Sequence, residues 1–164
     1  MKPLILVMGV SGTGKSTIGK MLAEKIEVPF YDADDFHPKA NVVKMQSGKP
    51  LNDEDRAPWL SLLANKLEEW QKTEGAVLAC SALKESYRST LSKEGSLPLQ
   101  WIFLDGDFET IHRRMKERQG HFMPKELLQS QFDTLETPSN AITINITNSP
   151  KEIVEIALDN LKIS

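Results

Sequence analysis

Residues 9–16 read GVSGTGKS and fit the phosphate-loop pattern G-x-x-x-x-G-K-[ST] without a mismatch. The apolar run PLILVM at residues 3–8 precedes this loop, and apolar residues with helical spacing follow it over residues 15–25. In such a strand, loop and helix, backbone N–H groups and the positive end of the helix dipole surround phosphate. The stretch therefore predicts that the chain holds the phosphates of a nucleotide.

The loop also predicts individual contacts and a class of protein. The Lys15 ammonium should reach the β- and γ-phosphates, and the Ser16 hydroxyl should ligate Mg²⁺. A guanine-specific segment of the N-K-x-D type does not follow, and 164 residues leave little room for a motor, so a compact kinase is favoured. The residues of this segment predicted to bind ATP are Gly9, Val10, Ser11, Gly12, Thr13, Gly14, Lys15, Ser16 and Thr17.

Strand-like and helix-like segments alternate along the whole chain. Predicted strands cover residues 3–8, 28–32, 76–80, 99–104 and 141–146, and predicted helices cover 15–25, 37–47, 55–72, 84–92, 107–118, 124–135 and 151–161. This alternation indicates an α/β domain with a mostly parallel sheet. Ligands of such sheets bind outside the carboxyl ends of the strands, so the informative residues should follow each strand.

Length and composition exclude several classes of function. A chain of 164 residues, 40% of them apolar, is expected to form a single domain over residues 1–164. The formal net charge of −3 does not provide the basic surface of a nucleic-acid binder, and no apolar stretch approaches the ~20 residues that span a bilayer. Cys80 is the single cysteine, which favours a reducing compartment. We therefore expect a cytoplasmic protein that binds neither nucleic acid nor membrane.

The segment YDADDFHP at residues 31–38 places carboxylates directly after the second predicted strand. If the backbone stays extended there, Asp32 and Asp34 project to the same side, toward the ligand, and Asp35 turns away. Phosphoryl transfer needs a group that orients the attacking hydroxyl and accepts its proton, and carboxylates that hold Mg²⁺ through water. We assign Asp34 to the first task and Asp32 to the second. Alternatively, the segment is an acidic turn whose aspartates cap the next helix.

Basic residues follow in two groups. Lys44, Lys49 and Arg56 lie in a turn-rich stretch, where Lys44 and Arg56 either clamp an anionic substrate or belong to a solvated face. The third predicted strand leads into the second group. Its members are Ser81, Lys84, Tyr87 and Arg88. Because Lys84 and Arg88 are four residues apart, they should share one face of the next helix. Hydroxyl and cationic groups together suit a polyhydroxylated acid.

Four segments resemble the gluconate kinase (gluconokinase) family of small P-loop kinases. They are MGVSGTGKST, DADDFHPKANVVKMQSGKPLNDEDRAPWL, CSALKESYR and RMKERQGHFMPKELLQSQFDTLE, in the family's order, from residue 8 to about 138. Shikimate and nucleoside-monophosphate kinases share the loop and the fold but not the run over residues 37–60. One departure is Ala33, where family members often carry glycine, and we expect little functional consequence.

The resemblance implies a fold and an activity. The fold would be a three-layer P-loop kinase domain: a mostly parallel five-stranded sheet in the order 2-3-1-4-5, helices on both faces, and a mobile helical lid at about residues 112–138. The activity would be Mg²⁺-dependent transfer of the γ-phosphoryl group of ATP to the 6-hydroxyl of D-gluconate, by a homodimer.

The resemblance also implies further site residues. Arg114 and Arg118 would close over the transferring phosphoryl group beside the catalytic Lys15 and Asp34, or they are instead the exposed face of an amphipathic helix. Asn148 and Pro150 would lie beside the adenine base. The implied substrate contacts are Asp34, His37, Lys44, Arg56, Ser81, Lys84, Tyr87, Arg88 and His121. Two alternatives stay open: a different acceptor (another polyol acid, shikimate or a nucleoside monophosphate), or an ATP-binding regulator without catalysis.

Overall fold

The five predicted strands form one parallel sheet in the computed structural model, which describes residues 2–117 and 124–163. The strands are β1 (Leu4–Met8), β2 (Phe30–Asp32), β3 (Ala76–Ala79), β4 (Leu99–Asp105) and β5 (Ile142–Asn145). They lie side by side in the order β2-β3-β1-β4-β5, so β1 is at the centre. The α/β class and the strand order expected from the sequence are confirmed.

Helices cover both faces of the sheet. They are α1 (Lys15–Ile26), α2 (Lys39–Gln46), α3 (Asp53–Lys72), α4 (Glu85–Leu91), α5 (Phe108–Glu117), α6 (Lys125–Thr134) and α7 (Pro150–Asn160). Residues of β1 alternate between two hydrophobic clusters: Leu4 and Leu6 pack into the cluster under α3, while Ile5 and Val7 pack into the one under α1 and α7. The central strand is therefore buried on both faces, as its unbroken apolar sequence predicted.

The long helix α3 begins two residues before the predicted residue 55. Asn52 is its N-cap, because the Asn52 side chain accepts from the Asp55 amide while the Asp55 carboxylate accepts from the Asn52 amide. Within α3, Leu60 is buried, whereas Leu62 is 40% exposed. Within residues 2–117 and 124–163, no helix combines the length and the apolar character needed to cross a membrane.

Candidate active site at the carboxyl ends of the strands

A cleft of about 950 Å³ opens at the carboxyl edge of the sheet. Its walls come from the phosphate loop, the ends of β2 and β3, the segment that joins α2 to α3, and the helices α4 and α6. The predicted site residues that line it are Ser11, Gly12, Gly14, Lys15, Ser16, Thr17, Asp32, Asp34, His37, Arg56, Ser81, Lys84 and Tyr87. Residues that lie far apart in the sequence meet here because parallel strands bring their carboxyl ends to one edge.

The phosphate loop is held by its own side chains and by α5. The buried Val10 carbonyl accepts hydrogen bonds from the Thr13 hydroxyl at 2.9 Å and from the Lys15 ammonium at 3.0 Å. Gly12 has φ +83°, and a Cβ added there would come within 2.9 Å of side-chain atoms of Ile111 and Met115. Glycine is therefore required at this position by both conformation and space. Gly9, Val10 and Thr13 support the loop from behind rather than line the cleft.

Lys15, Ser16 and Asp32 meet at the mouth of the loop. Burial lowers the pKa of Lys15, and the nearby Asp34 carboxylate is the largest charge that opposes this shift. The Ser16 hydroxyl donates to Asp32 Oδ2 at 3.0 Å. A hydroxyl beside a carboxylate is the donor set that Mg²⁺ accepts when phosphate and water complete its shell. No group of three or more histidine, cysteine or acidic side chains that could hold a metal ion is found in the described part of the chain.

Asp34 lines the cleft, but the backbone that places it differs from the prediction. Residues Ala33–Phe36 form a short 3-10 helix instead of extended chain, with Asp32 as its N-cap accepting from the Asp34 amide at 3.0 Å. This turn keeps the carboxylates of Asp32 and Asp34 on the cleft side. Asp32 therefore caps the short helix and still lines the cleft, so the two predicted alternatives are compatible. Ala33 does not have a positive φ, in agreement with the expectation that alanine is tolerated there.

The electrostatics of Asp34 suit a proton acceptor. Desolvation raises the pKa of the Asp34 carboxyl, the negative Asp32 raises it further, and the Lys15 ammonium opposes both. Although 81% of the side-chain surface is accessible from the open cleft, surrounding protein atoms still remove part of the carboxylate's hydration. A raised carboxyl pKa brings a general base closer to the pH at which it operates.

His37 lies beside Asp34 with its ring stacked on Trp59, the ring centroids being 4.1 Å apart. His37 Nε2 is 3.8 Å from Asp34 Oδ1. Burial lowers the pKa of His37, and the positive Arg56 adds to this effect. Trp59 in turn donates from its indole nitrogen to the Ala33 carbonyl at 2.7 Å. The core residue Trp59 therefore fixes both the 3-10 helix and the imidazole at the cleft wall.

The wall of the cleft also carries Arg56, Lys84 and Tyr87. The Tyr87 hydroxyl donates to Asp53 Oδ1 at 2.5 Å and accepts from Arg56 Nη1 at 3.0 Å. Arg56 also donates to the Leu51 carbonyl, so both hydrogen bonds go to neutral acceptors. Lys84 pairs with Asp53 at 3.1 Å, and the hydrogen bonds from Tyr87 and Lys84 lower the pKa of Asp53. The wall therefore presents cations that are held in place by a hydroxyl and a carboxylate.

Lys44 and Arg88 do not line the cleft, which corrects two predictions. Lys44 forms an ion pair with Asp55 at 2.6 Å. Arg88 is 5% exposed and donates to the Ala82 carbonyl at 2.7 Å and to the Glu136 carbonyl at 2.8 Å. Lys84 and Arg88 do not share a helix face, because α4 begins after Lys84, whose backbone is extended. Both residues form contacts with other protein groups and do not face the cleft.

Arg114 also lies elsewhere than predicted. Its Nη2 donates to the Ile146 carbonyl at 2.8 Å, just beyond β5, and the residue does not line the cleft. The helix face of α5 that packs on Gly12 consists of Ile111 and Met115, one turn apart, which directs Arg114 to the side. Arg118 and His121, the other predicted lid residues, lie outside the described residues.

Asn148 and Pro150 follow β5 at the same edge of the sheet. The Asn148 side chain donates to the Asn145 carbonyl at 2.9 Å, and Pro150 is the first residue of α7. Neither residue lines the cleft. They remain predicted contacts of the base, and the hydrogen bond from Arg114 to Ile146 adds a cation close to this turn.

Sequence reasoning missed several residues of the cleft wall. They are Lys49, Asp53, Trp59, Cys80, Ser130 and Gln131. Lys49 was noted as basic but was not assigned a contact with the ligand. Gln131 of α6 reaches the phosphate loop across 120 positions in the sequence, where its carbonyl oxygen accepts from the Ser11 amide at 2.7 Å. Burial raises the pKa of the Cys80 thiol to about 12, which keeps it protonated and unreactive at neutral pH.

Comparisons with known proteins agree with this geometry. Residues 11–162 match the family model described as shikimate kinase. The chain is 46% identical to a probable gluconokinase of Rattus norvegicus over 97% of both chains. It is 44% identical to the thermosensitive gluconokinase of Escherichia coli, over 92% of this chain and 82% of that protein.

A solved structure shows the same similarity to gluconokinases. A gluconokinase from Sinorhizobium meliloti superposes with a TM-score of 0.88 and 42% identity, covering 96% of this chain and 90% of that one. Identities of this size over nearly the whole length establish a family as well as a fold. The chain therefore belongs to the gluconokinase family of small P-loop kinases.

Proposed function

We propose that this protein is an ATP-dependent gluconokinase that transfers the γ-phosphoryl group of ATP to the 6-hydroxyl of D-gluconate. The observation that carries the proposal is the single cleft in which Lys15 of the phosphate loop, the Asp34 carboxylate and the cationic wall of Arg56 and Lys84 meet. Family membership supplies the acceptor, since relatives with 44–48% identity bear the name gluconokinase.

The proposed reaction uses groups on both sides of the cleft. Lys15 and the loop amides bind the phosphates of ATP, and Asp34 orients the acceptor hydroxyl and takes its proton. The acceptor oxygen forms a bond to the γ-phosphorus while the bond from phosphorus to the bridging oxygen breaks. ADP leaves with that electron pair, and the product is 6-phosphogluconate.

Mg²⁺ fits this site by the chemistry of its donors. The Ser16 hydroxyl would ligate the ion directly, and Asp32 would hold it through water. When bound, the ion neutralises charge on the β- and γ-phosphate oxygens. The hydrogen bond that now joins Ser16 to Asp32 keeps both groups at the position where this ion would be needed.

The cationic wall favours a sugar acid over an uncharged polyol. Arg56 and Lys84 would meet the carboxylate of gluconate, while Ser81 and Tyr87 would contact hydroxyl groups. Shikimate, the second candidate, is also a hydroxylated carboxylic acid, and the match to the shikimate kinase model favours it specifically. Charge alone does not separate the two acceptors, because both carry one carboxylate.

A panel of acceptors tests the proposal. Release of ADP by the purified protein should depend on gluconate and should be far slower with shikimate or a nucleoside monophosphate. Turnover of shikimate without turnover of gluconate would replace the proposed acceptor. ATP binding with no acceptor-dependent ADP release would instead make the protein a nucleotide-binding regulator.

A matched pair of variants tests the role of Asp34. Asp34→Asn should lower kcat by about 10²–10⁴-fold and leave ATP binding intact, because it removes the proton acceptor. Asp35→Asn makes the same change one residue away, on an exposed side chain that does not line the cleft, and should leave kcat unchanged. Equal kcat values for the two variants would remove Asp34 from the mechanism.

We also propose the wider organisation that the family resemblance implies. Residues 1–164 form one kinase domain, residues 112–138 act as a lid, and the protein works as a homodimer in the cytoplasm. Size-exclusion chromatography with light scattering tests the dimer, and limited proteolysis with and without an ATP analogue tests the lid.

A further inference from the structure

A buried asparagine connects the cleft histidine to the protein interior. Asn41, 5% exposed, lies on α2 one turn after His37. Its amide nitrogen is 2.9 Å from the backbone carbonyl oxygen of Asp55 and 3.2 Å from His37 Nδ1. A side-chain amide nitrogen carries two hydrogens and no lone pair for accepting, so it donates one hydrogen to each of these atoms.

The orientation of this amide is fixed by its surroundings. The Asp55 carbonyl oxygen can accept but not donate, so turning the amide over would place two oxygens against each other. His37 Nδ1 must therefore accept a hydrogen bond, and a neutral imidazole that accepts at Nδ1 carries its single hydrogen at Nε2. The burial and the nearby Arg56 that hold the His37 pKa low favour this neutral form.

The hydrogen at Nε2 is directed to the active site. Stacking on Trp59, with ring planes inclined by 16°, leaves the imidazole little freedom to rotate. Nε2 lies 3.8 Å from Asp34 Oδ1, beyond hydrogen-bond distance but on the same side of the cleft. A hydroxyl group bound there would meet an acceptor in Asp34 and a donor in His37.

We propose that Asn41 is a positioning residue that fixes His37 in the Nε2–H tautomer, so that His37 donates a hydrogen bond to a hydroxyl oxygen of the acceptor bound beside Asp34. The proposal rests on the proposed function in one respect, that the acceptor binds at Asp34. Its chemical consequence is selectivity: a hydroxyl both donates and accepts, and therefore satisfies Asp34 and His37 together.

Nitrogen-15 NMR of the histidine rings tests the tautomer directly. The sequence contains three histidines, so the spectrum is simple, and His37→Gln identifies the signals of position 37. Without any acceptor present, His37 should carry its proton at Nε2. A proton at Nδ1 would overturn the proposal. This result is independent of which compound the enzyme phosphorylates, so it is separate from any failure of the proposed function.

Asn41→Asp removes the donor while keeping the shape of the side chain. Because a carboxylate can only accept, the neutral His37 ring should adopt the Nδ1–H tautomer in this variant. The NMR spectrum should be recorded one pH unit above the His37 pKa of the variant, where the ring is neutral. The KM for the acceptor should then rise about tenfold, the loss expected for one hydrogen bond, with the KM for ATP unchanged. Asn160→Asp is the matched control, because Asn160 also donates to a backbone carbonyl but lies exposed at the end of α7.

Two replacements of His37 keep the test decisive even if Asn41→Asp does not fold. Gln places an amide nitrogen near the position of Nε2 and should retain acceptor binding within about threefold, whereas Asn reaches only the position of Nδ1 and should lose about tenfold. Equal KM values for the two variants, or an inverted tautomer in Asn41→Asp without a change of acceptor KM, would reject the donor role of His37.

Discussion

Gln131 of α6 is bonded to Ser11 of the phosphate loop at both ends of its amide. Its oxygen accepts from the Ser11 backbone N–H at 2.7 Å, and its nitrogen donates to the Ser11 hydroxyl at 3.0 Å. The pair fixes the orientation of one peptide in the loop that is proposed to bind phosphate. It also connects α6 to the nucleotide end of the cleft. Helix α6 begins at Lys125, shortly after residues 118–123, which the structure does not describe.

Gln131→Leu should therefore weaken ATP binding. The variant loses two hydrogen bonds, each with a net contribution of about 0.5–1.5 kcal/mol. We expect the KM for ATP to rise about tenfold in steady-state assays. Gln129→Leu is the control, since Gln129 lies on the exposed side of the same helix and bonds to Asp133. An unchanged or lower KM for ATP in Gln131→Leu would show that the contact does not support the nucleotide.

Tyr87→Phe should affect the acceptor and not the nucleotide. The hydroxyl accepts from Arg56 and donates to Asp53, the ion-pair partner of Lys84, so its removal breaks the connection between Arg56 and Asp53. We expect the KM for gluconate to rise about threefold to tenfold, as for one lost hydrogen bond, with the KM for ATP unchanged. Tyr31→Phe, the same change at the other tyrosine of the chain and outside the cleft, should alter neither constant. Parallel changes in both KM values would argue for a general loss of structure.

Trp59→Phe should lower stability and disturb the Asp34 turn. Its indole donates to the buried Ala33 carbonyl at 2.7 Å, and leaving that carbonyl without a partner costs about 1–3 kcal/mol in the free energy of unfolding. Urea denaturation measures this loss. The KM for the acceptor should rise as well, because Ala33 lies between Asp32 and Asp34. Trp70→Phe, on the same helix and stacked on Tyr31, should leave the KM unchanged. A rise of equal size in both variants would contradict the specific role of Trp59.

Gly12→Ala should abolish tight ATP binding. A Cβ at φ +83° is strained, and it would meet Ile111 and Met115 at 2.9 Å, so the loop or α5 must move. Isothermal titration calorimetry with an ATP analogue would then give an affinity at least tenfold lower. Gly95→Ala separates the two causes, because Gly95 has φ +90° but open space at the Cβ position. Gly95→Ala should therefore be slightly less stable but should bind the ATP analogue as tightly as the wild type. Wild-type affinity in Gly12→Ala would refute the packing argument.

The neutral state of His37 predicts how stability depends on pH. Its pKa is lower in the folded protein than the value of about 6.5 in the unfolded chain, so the unfolded state binds the proton more readily. The contribution of neutral His37 to the free energy of unfolding is complete above about pH 6.5 and is lost as the pH falls toward the pKa of His37 in the folded protein. His37→Phe keeps an aromatic ring against Trp59 but removes the titrating group. The free energy of unfolding of this variant should therefore depend less on pH over this range. An NMR pKa of His37 above 6.5 would show the opposite sign, and a value of about 6.5 would show that His37 makes no contribution.

The cleft shows which parts of the site the sequence could predict. The phosphate loop and the 31–38 segment were found because their chemistry is local: a few consecutive residues carry both the motif and its conformation. Gln131 and Trp59 were missed because each acts on a segment 26 or more positions away, across the fold. The prediction for Arg88 relied on helical spacing from Lys84, which failed because α4 begins only after Lys84, and Arg88 donates to the Ala82 carbonyl instead.

By itself, the sequence determined the α/β class, the phosphate loop and the family, because apolar periodicity and consecutive motifs encode local structure. The 3-10 helix at Ala33–Phe36 shows the limit of this information, since the cap by Asp32 and the anchor from Trp59 select it over extended chain. The tertiary structure alone decided which charges face the cleft. Arg56 and Lys84 reach the cleft, whereas Lys44 and Arg88 pair with the wall, because packing of α3 and α4 fixes the direction of each side chain.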